Sequence, residues 1–247
     1  MTVLILGGTA EARDLAARLV DAGVPVVSSL AGRVVKPRLP VGDVRIGGFG
    51  GVDGMRAFYV SSSISAVVDA THPFAEGITA NAVAACAASG VSLLRLERPS
   101  WAGGLLSDTW HWAADHDEAA LLATRLGERP FLTTGRQALG HFTGPLASLS
   151  ALVRIVDTPG IELPQAWTLL SSRGPYLIED ERNIMRAHST DVLITKDSGG
   201  TFTWPKMEAA AELGVRVIVV KRKETNSGVQ TVNEVKAAFE WSRTRWA

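Results

Sequence analysis

Short apolar runs that end in polar or glycine tips alternate with segments of helical period along this chain, and no other feature restricts its fold as tightly. The first run, "VLIL" (3–6), is four apolar residues in succession, the pattern of a strand buried on both faces. Behind it Ala12, Leu15, Ala16, Leu19 and Val20 fall at helical spacing, and the pattern stops at Gly23 with Pro25 beyond. "VPVVSS" is a second strand; "DVRIGG" is a weaker third, followed by the glycine-rich "GGFGG" of residues 47–51. "SAVVDATHP" is a fourth strand with a polar tip. "FAEGITANAVAACAASG" reads as an alanine-rich helix that can lie close on a sheet, capped by Gly90, and "VSLLRL" as a fifth strand. Strands and helices alternating through short links predict an α/β fold with a parallel sheet wound on both faces.

The pattern breaks near residue 100. All seven tryptophans lie at or after Trp101, and "ERPSWAGG" has the proline and glycines of a linker. Beyond it the alternation resumes, with strands expected at "TWHWAA", "PFLTT", "ALVRIV", "DVLITK" and "VRVIVVK". Helices are expected over 117–126, 176–187, 205–213 and 232–241, with Pro175 and Pro205 near helix starts. Two α/β domains, 1–98 and 99–247, with a ligand cleft between them, are the expected organisation.

Several function classes fall away on composition. Basic and acidic residues balance at 25 each, so no global field recruits nucleic acid or an anionic membrane. An anionic ligand must then be held by local charges and backbone N–H groups. A single cysteine, Cys86, excludes an internal disulfide and a cysteine-rich metal site and fits a reducing cytoplasm. No apolar run approaches the roughly eighteen residues of a membrane span, and no metal site is expected. P-loop, zincin and hydrolase-elbow patterns are missing. The Y-x-x-x-K pair of short-chain dehydrogenases fails too: Ser63 follows Tyr59 at that spacing, and Asp180 follows Tyr176.

The chemistry concentrates at strand ends. In "LGGTAEA" a strand runs through Gly7, Gly8, Thr9 and Ala10 into a helix, aiming free N–H groups and a positive helix dipole at one point, which suits a pyrophosphate. Thr9 can either cap the helix or bond a phosphate. Ala12 stands where the dinucleotide fingerprint has its third glycine, a tolerated exchange. The turn alone is as compatible with a plain strand–helix connection. The end of the second strand adds a sign. An NAD site carries an acid there, about twenty residues after the glycines, to hold the ribose 2′-OH. This chain has Ser28, Ser29 and Arg33, which can hydrogen-bond a 2′-phosphate and offset its charge, so NADPH/NADP+ is the expected cofactor. Gly48, in the glycine loop, and Thr71 are further candidate cofactor contacts. His72 is the candidate catalytic proton carrier, the alternative being a histidine that hydrogen-bonds its own turn.

In the second half "TTGRQ", "SSRGPY" and "TKDSGG" repeat the arrangement of strand, polar turn and helix. They supply Thr134, Arg136, Arg173, Tyr176, Lys196, Asp197 and Ser198, with Lys206 beyond, as candidates for a ligand bearing several carboxylates.

With these residues in view the chain resembles the precorrin-6A reductases of cobalamin biosynthesis. The resemblance is carried by "ILGGTAEAR", "DATHPFA" with the following "NA", "ERPSW", "TTGRQ", "RGPY", "TKDSGG" and "AAAELGVRVIVVKR", in that order along most of the chain. It implies NADPH-dependent reduction of one carbon–carbon double bond of a polycarboxylate tetrapyrrole, a corrin precursor, giving precorrin-6B. It also implies two Rossmann-like domains with the ligands between them. Two other functions remain compatible with the residues: a different NADP-dependent reductase or epimerase, and a non-catalytic two-lobed nucleotide-binding protein. The oligomeric state is not legible.

Overall fold

A computed structural model of the chain describes residues 1–32, 34–223 and 228–246. The chain divides into two compact units, Met1–Arg98 with Glu224–Ala247, and Pro99–Lys223.

The first unit opens with β1 (Thr2–Leu6), α1 (Ala10–Asp21), β2 (Val26–Leu30), β3 (Asp43–Ile46), α2 (Gly51–Ser61), β4 (Ile64–Asp69), α3 (Glu76–Ser89) and β5 (Ser92–Leu96). These strands are all parallel, in the order β5-β4-β1-β2-β3. Strand alternation splits the apolar run of β1 between two layers. Val3 and Ile5 pack with Leu15 and Leu19 of α1, whereas Leu4 and Leu6 pack with Met55 and Tyr59 of α2 and Ala82 of α3. No helix was expected after the glycine loop. Helix α2 nevertheless starts there, its cap Gly50 in the left-handed region (φ 81°) without any side-chain bond, so no capping residue announces it.

The second unit contains β6 (His111–Ala113), α4 (His116–Leu126), β7 (Pro130–Leu132), the single turn α5 (Gly140–Thr143), β8 (Leu152–Ile155), β9 (Thr168–Ser171), α6 (Ile178–His188), β10 (Val192–Lys196), α7 (Pro205–Glu212) and β11 (Arg216–Val220). Its parallel sheet runs β6-β11-β10-β7-β8-β9. The earliest strand, β6, thus closes the far edge beside the latest, β11. Helix α4 begins with an Asp115 cap that accepts from Glu118 N (2.9 Å), and the Glu118 carboxylate reaches back to accept from Ala114 N, the residue before the cap (2.6 Å). Strand β9 was not foreseen. It is a short edge strand, and its outer face does not reach the core.

The C-terminal segment departs from the expected boundary. Residues 228–246 belong to the first unit, where the sequence pattern put them with the second. Strand β12 (Thr231–Val232) pairs with β5, and α8 (Val235–Trp246) packs on α1. The cause is unsatisfied surface. The outer edge of β5 needs acceptors, which Gln230 and Val232 supply to Arg95 N and Glu97 N (both 2.9 Å). The flank of α1 and β1 needs an apolar cover, which Ala238 and Trp241 supply. The complete first sheet, β12-β5-β4-β1-β2-β3, is the six-strand order of dinucleotide-binding domains, with its direction reversing between β1 and β4.

Candidate functional site

The point of reversal is where an open parallel sheet binds ligands, because the connections after the two central strands leave in opposite directions. A cavity of about 810 Å³ lies there, beyond the carboxyl ends of β1 and β4. Gly7, Gly8 and Thr9 form one wall, Gly48 and its neighbours in the glycine loop a second, and Thr71 and His72 a third. Gly8 has φ 113°, a conformation that side chains rarely adopt, so the turn into α1 depends on glycine. A Cβ on Gly7 would stand 3.4 Å from that of Ala12, which shows why the helix can lie close with alanine in the third glycine's place.

Each wall is fixed by specific side-chain bonds. Thr9 resolves in favour of the cap: its hydroxyl accepts from Ala12 N (3.1 Å) and donates to Ala70 O (2.7 Å), tying α1 to the end of β4. Arg45 donates to the carbonyls of Gly47 (2.6 Å) and Gly48 (2.7 Å) and lies 3.9 Å over the Phe49 ring, which holds the glycine loop. Beneath the third wall Asp69, 1 % exposed, accepts from Thr71 N (3.1 Å), Thr71 Oγ1 (2.6 Å), Thr79 Oγ1 (2.7 Å) and Arg95 (2.5 Å). Arg95 in turn reaches Glu97 (2.8 Å). The polar tip of β4 is therefore anchored by a buried ion pair. His72 accepts from Phe74 N at Nδ1 (3.3 Å), which puts the neutral ring's proton on Nε2 and orders its own turn.

Glu11, awkward beside a phosphate, is held by Arg98, whose Nε stands 3.1 Å from Oε1. Arg98 also lines the cavity. Ser28 and Ser29 face opposite layers of the sheet, as adjacent strand residues do. Ser29 lines the large cavity, whereas Ser28 lines a smaller recess on the α1 side together with Gly8, Arg13 and Arg38. Arg33 lies outside the described residues.

In the second unit the sheet reverses between β7 and β10. Thr134 follows β7, and its hydroxyl is buried without a hydrogen-bond partner. Lys196 ends β10, where burial pushes its ammonium down to about 8. Ser198 follows at the same edge, and Arg136 reaches Thr158 O (3.4 Å). Thr134, Arg136, Lys196 and Ser198 therefore share one sheet edge. Arg173 is exposed beyond β9, and the Tyr176 ring carries the Arg154 guanidinium at 4.5 Å. Two expected substrate residues have tasks within the fold. The Asp197 carboxylate accepts from Ser100 Oγ (2.5 Å) and Trp101 N (3.0 Å) and pairs with Arg222, whose Nε donates to the Asp197 carbonyl (2.9 Å), clasping the start of the unit. Gly199 completes this clasp: at φ 64° a Cβ there would collide with Pro99 O and Arg222. Lys206 is buried, donating to Thr203 O (3.2 Å) and lying 5.4 Å from the Trp101 ring centre. Among the described residues no group of three or more histidine, cysteine or acidic side chains could hold a metal. No helix of the described chain is long and apolar enough to cross a membrane.

The comparisons with known proteins follow the whole chain. The family described as "Precorrin-6x reductase CbiJ/CobK" matches residues 2–243. A precorrin-6A reductase of Rhodococcus erythropolis is 49 % identical over 243 residues, covering 98 % of this chain and 97 % of the relative. One of Mycobacterium tuberculosis is 45 % identical over 240 residues, covering 97 % and 96 %. A solved structure titled "CobK precorrin-6A reductase" superposes with a TM-score of 0.91 at 33 % identity, covering 99 % of this chain and 97 % of its own. An end-to-end family match, joined to the glycine turn at the reversal point of β1 and β4, identifies the chain as a member of the precorrin-6x reductase family of oxidoreductases.

Proposed function

We propose that this protein uses NADPH to reduce one carbon–carbon double bond of precorrin-6A, yielding precorrin-6B. The observation that carries the proposal is the cavity walled by Gly7, Gly8, Gly48, Thr71 and His72 at the reversal point of the first sheet, in a chain matched by the family over residues 2–243. The residues fit a dinucleotide. The backbone of 7–10 leads into the amino end of α1, where unpaired N–H groups and the helix dipole favour a pyrophosphate, and Gly8 leaves room for close approach.

A nicotinamide cofactor supplies the hydride when bound; the protein's part is to position, shield and protonate. Gly48 and Thr71 flank the cofactor, and the Asp69–Arg95 pair keeps the turn carrying His72 in place. The proton that balances the hydride at the neighbouring carbon comes from His72 as its imidazolium, once Nδ1 no longer accepts from Phe74 N, or else from solvent. Thr134, Arg136, Arg173, Tyr176, Lys196 and Ser198 receive the acetate and propionate arms of the macrocycle. The ammonium and guanidinium groups meet carboxylates, and the unpartnered Thr134 hydroxyl provides a donor. The free, buried Cys86 accords with a cytoplasmic location.

The test is loss of the reduced-nicotinamide absorbance with purified protein and precorrin-6A, run with NADPH and with NADH. Rapid loss with NADPH and formation of precorrin-6B are expected. Binding of NADPH without its oxidation would instead favour a nucleotide-binding role. Replacement of His72 by alanine is expected to lower kcat, and unchanged turnover would pass the proton step to solvent.

A further inference from the structure

The glycine loop after β3 gives one side of its backbone to the cavity and has the other side held. Residues 47–51 all line the cavity, whereas Arg45 and Gly54, which hold them, do not. The Arg45 fork lies on the main chain: Nη1 donates to Gly47 O (2.6 Å) and Nη2 to Gly48 O (2.7 Å). Its guanidinium stands 3.9 Å over the Phe49 ring, and that ring meets Phe58 of α2 edge-on at 5.4 Å. The next carbonyl, that of Phe49, turns toward α2, where a Cβ on Gly54 would collide with it. Glycine weakens a helix interior, and this carbonyl is what calls for it inside α2. Three successive carbonyls are thus drawn to residues outside the cavity. A trans peptide sets each N–H opposite its carbonyl, so the amides of Gly48, Phe49 and Gly50 turn toward the cavity. None of these three amides donates to another of the described residues. Successive amides facing one way attract acceptor oxygens, anionic ones above all.

We propose that Arg45 and Gly54 are positioning residues for the reduction. By turning the carbonyls of 47–49 outward they make the glycine loop an amide wall that receives acceptor oxygens of the dinucleotide. This rests on the dinucleotide reading of the cavity and adds two residues that shape its wall without touching the ligand. An anchor is needed because Gly47, Gly50 and Gly51, at φ 118°, 81° and 89°, leave the loop sterically free to turn its peptides over. A peptide turned over would set a carbonyl against the ligand's oxygens. Arginine suits the task because its planar fork reaches two carbonyls at once, which a single ammonium does not.

The experiment compares Arg45→Ala, Arg45→Lys and Gly54→Ala with the wild-type protein. It measures NADPH binding by calorimetry, steady-state reduction of precorrin-6A, urea unfolding, and hydrogen exchange over 46–52. Arg45→Ala should raise Kd and KM for NADPH by about ten- to thirtyfold, leaving kcat and KM for precorrin-6A within about threefold. Gly54→Ala should act in the same direction, and Arg45→Lys should fall between wild type and Arg45→Ala. NADPH should slow exchange over 46–52 in the wild-type protein and much less in Arg45→Ala. A lowered unfolding midpoint with unchanged Kd would make both residues merely structural and overturn the proposal. Wild-type affinity in Arg45→Lys, or equal rises in KM for both substrates, would overturn it as well. Should Arg45→Ala fail to fold, Arg45→Lys and the wild-type exchange decide: NADPH bound without protection of 46–52 overturns the amide wall and leaves the dinucleotide reading intact. Failure of NADPH to bind the wild-type protein would overturn both.

Discussion

A few buried polar residues carry most of what holds this site. Asp69 accepts four hydrogen bonds beneath the turn that bears Thr71 and His72, and its partner Arg95 is itself 4 % exposed. Removing one member of a buried ion pair strands the other, so Asp69→Ala should lower the unfolding free energy by about 3–5 kcal/mol, read from urea denaturation. Lys196 is the opposite case, a cation held at a cost. Its folded pKa of about 8 lies below the ordinary 10.5, so between those values the unfolded chain binds more protons. Stability should therefore rise as pH climbs through that window, and the full penalty should apply below it. Lys196→Met should gain about 3 kcal/mol at neutral pH, a gain that shrinks toward alkaline pH, and urea titrations at the two ends would show it. Its neighbour His116 is held below its usual range by burial, then by Lys196 and His141. The lysine's charge is therefore kept against the preference of the fold, as a carboxylate-binding group would be.

Elements in this protein are locked to one another by side chains at their ends. Thr9 caps α1 and at the same time bonds the carbonyl that follows β4. Thr9→Val keeps the shape and removes both bonds, and should cost about 1–2 kcal/mol in thermal or urea unfolding, with weaker nucleotide binding. The clasp of Pro99 to Trp101 on the turn after β10 works likewise. Gly199→Ala must shift either Pro99 or Arg222 and strain a left-handed residue, so it should lower the melting temperature and increase proteolysis near Trp101. The "ERPSW" and "TKDSGG" stretches belong together partly because Asp197 receives Ser100, Trp101 and Arg222.

At the scale of the molecule the chain makes one strand order in two ways. The first sheet takes its sixth strand, β12, after the whole second unit has been made, and the second takes β6 before its own first βα unit. Unit one therefore cannot complete its sheet or cover α1 until the last residues are present. Deleting 229–246 should expose the β5 edge and the apolar flank of α1, abolish nucleotide binding and promote aggregation. The fluorescence of the cluster formed by Trp101, Trp110, Trp112 and Trp204 should persist, since it belongs to the second unit.

Periodicity in the sequence was enough for the parallel strands, the helices between them and the glycine turn, because strands buried on both faces must be continuously apolar and Gly8 alone tolerates its φ. It was enough, too, to bring Thr134, Arg136, Lys196 and Ser198 to one edge, since residues just after parallel strands share it. Helix α2 escaped because glycines, not a capping side chain, begin it. The return of 228–246 to the first unit and the internal tasks of Asp197 and Lys206 were decided by tertiary structure alone. Local pattern reports which residues a strand or helix buries. It carries no record of which distant edge lacks a hydrogen-bond partner, or of which distant charge a buried carboxylate or guanidinium will meet, and those demands placed the remaining residues.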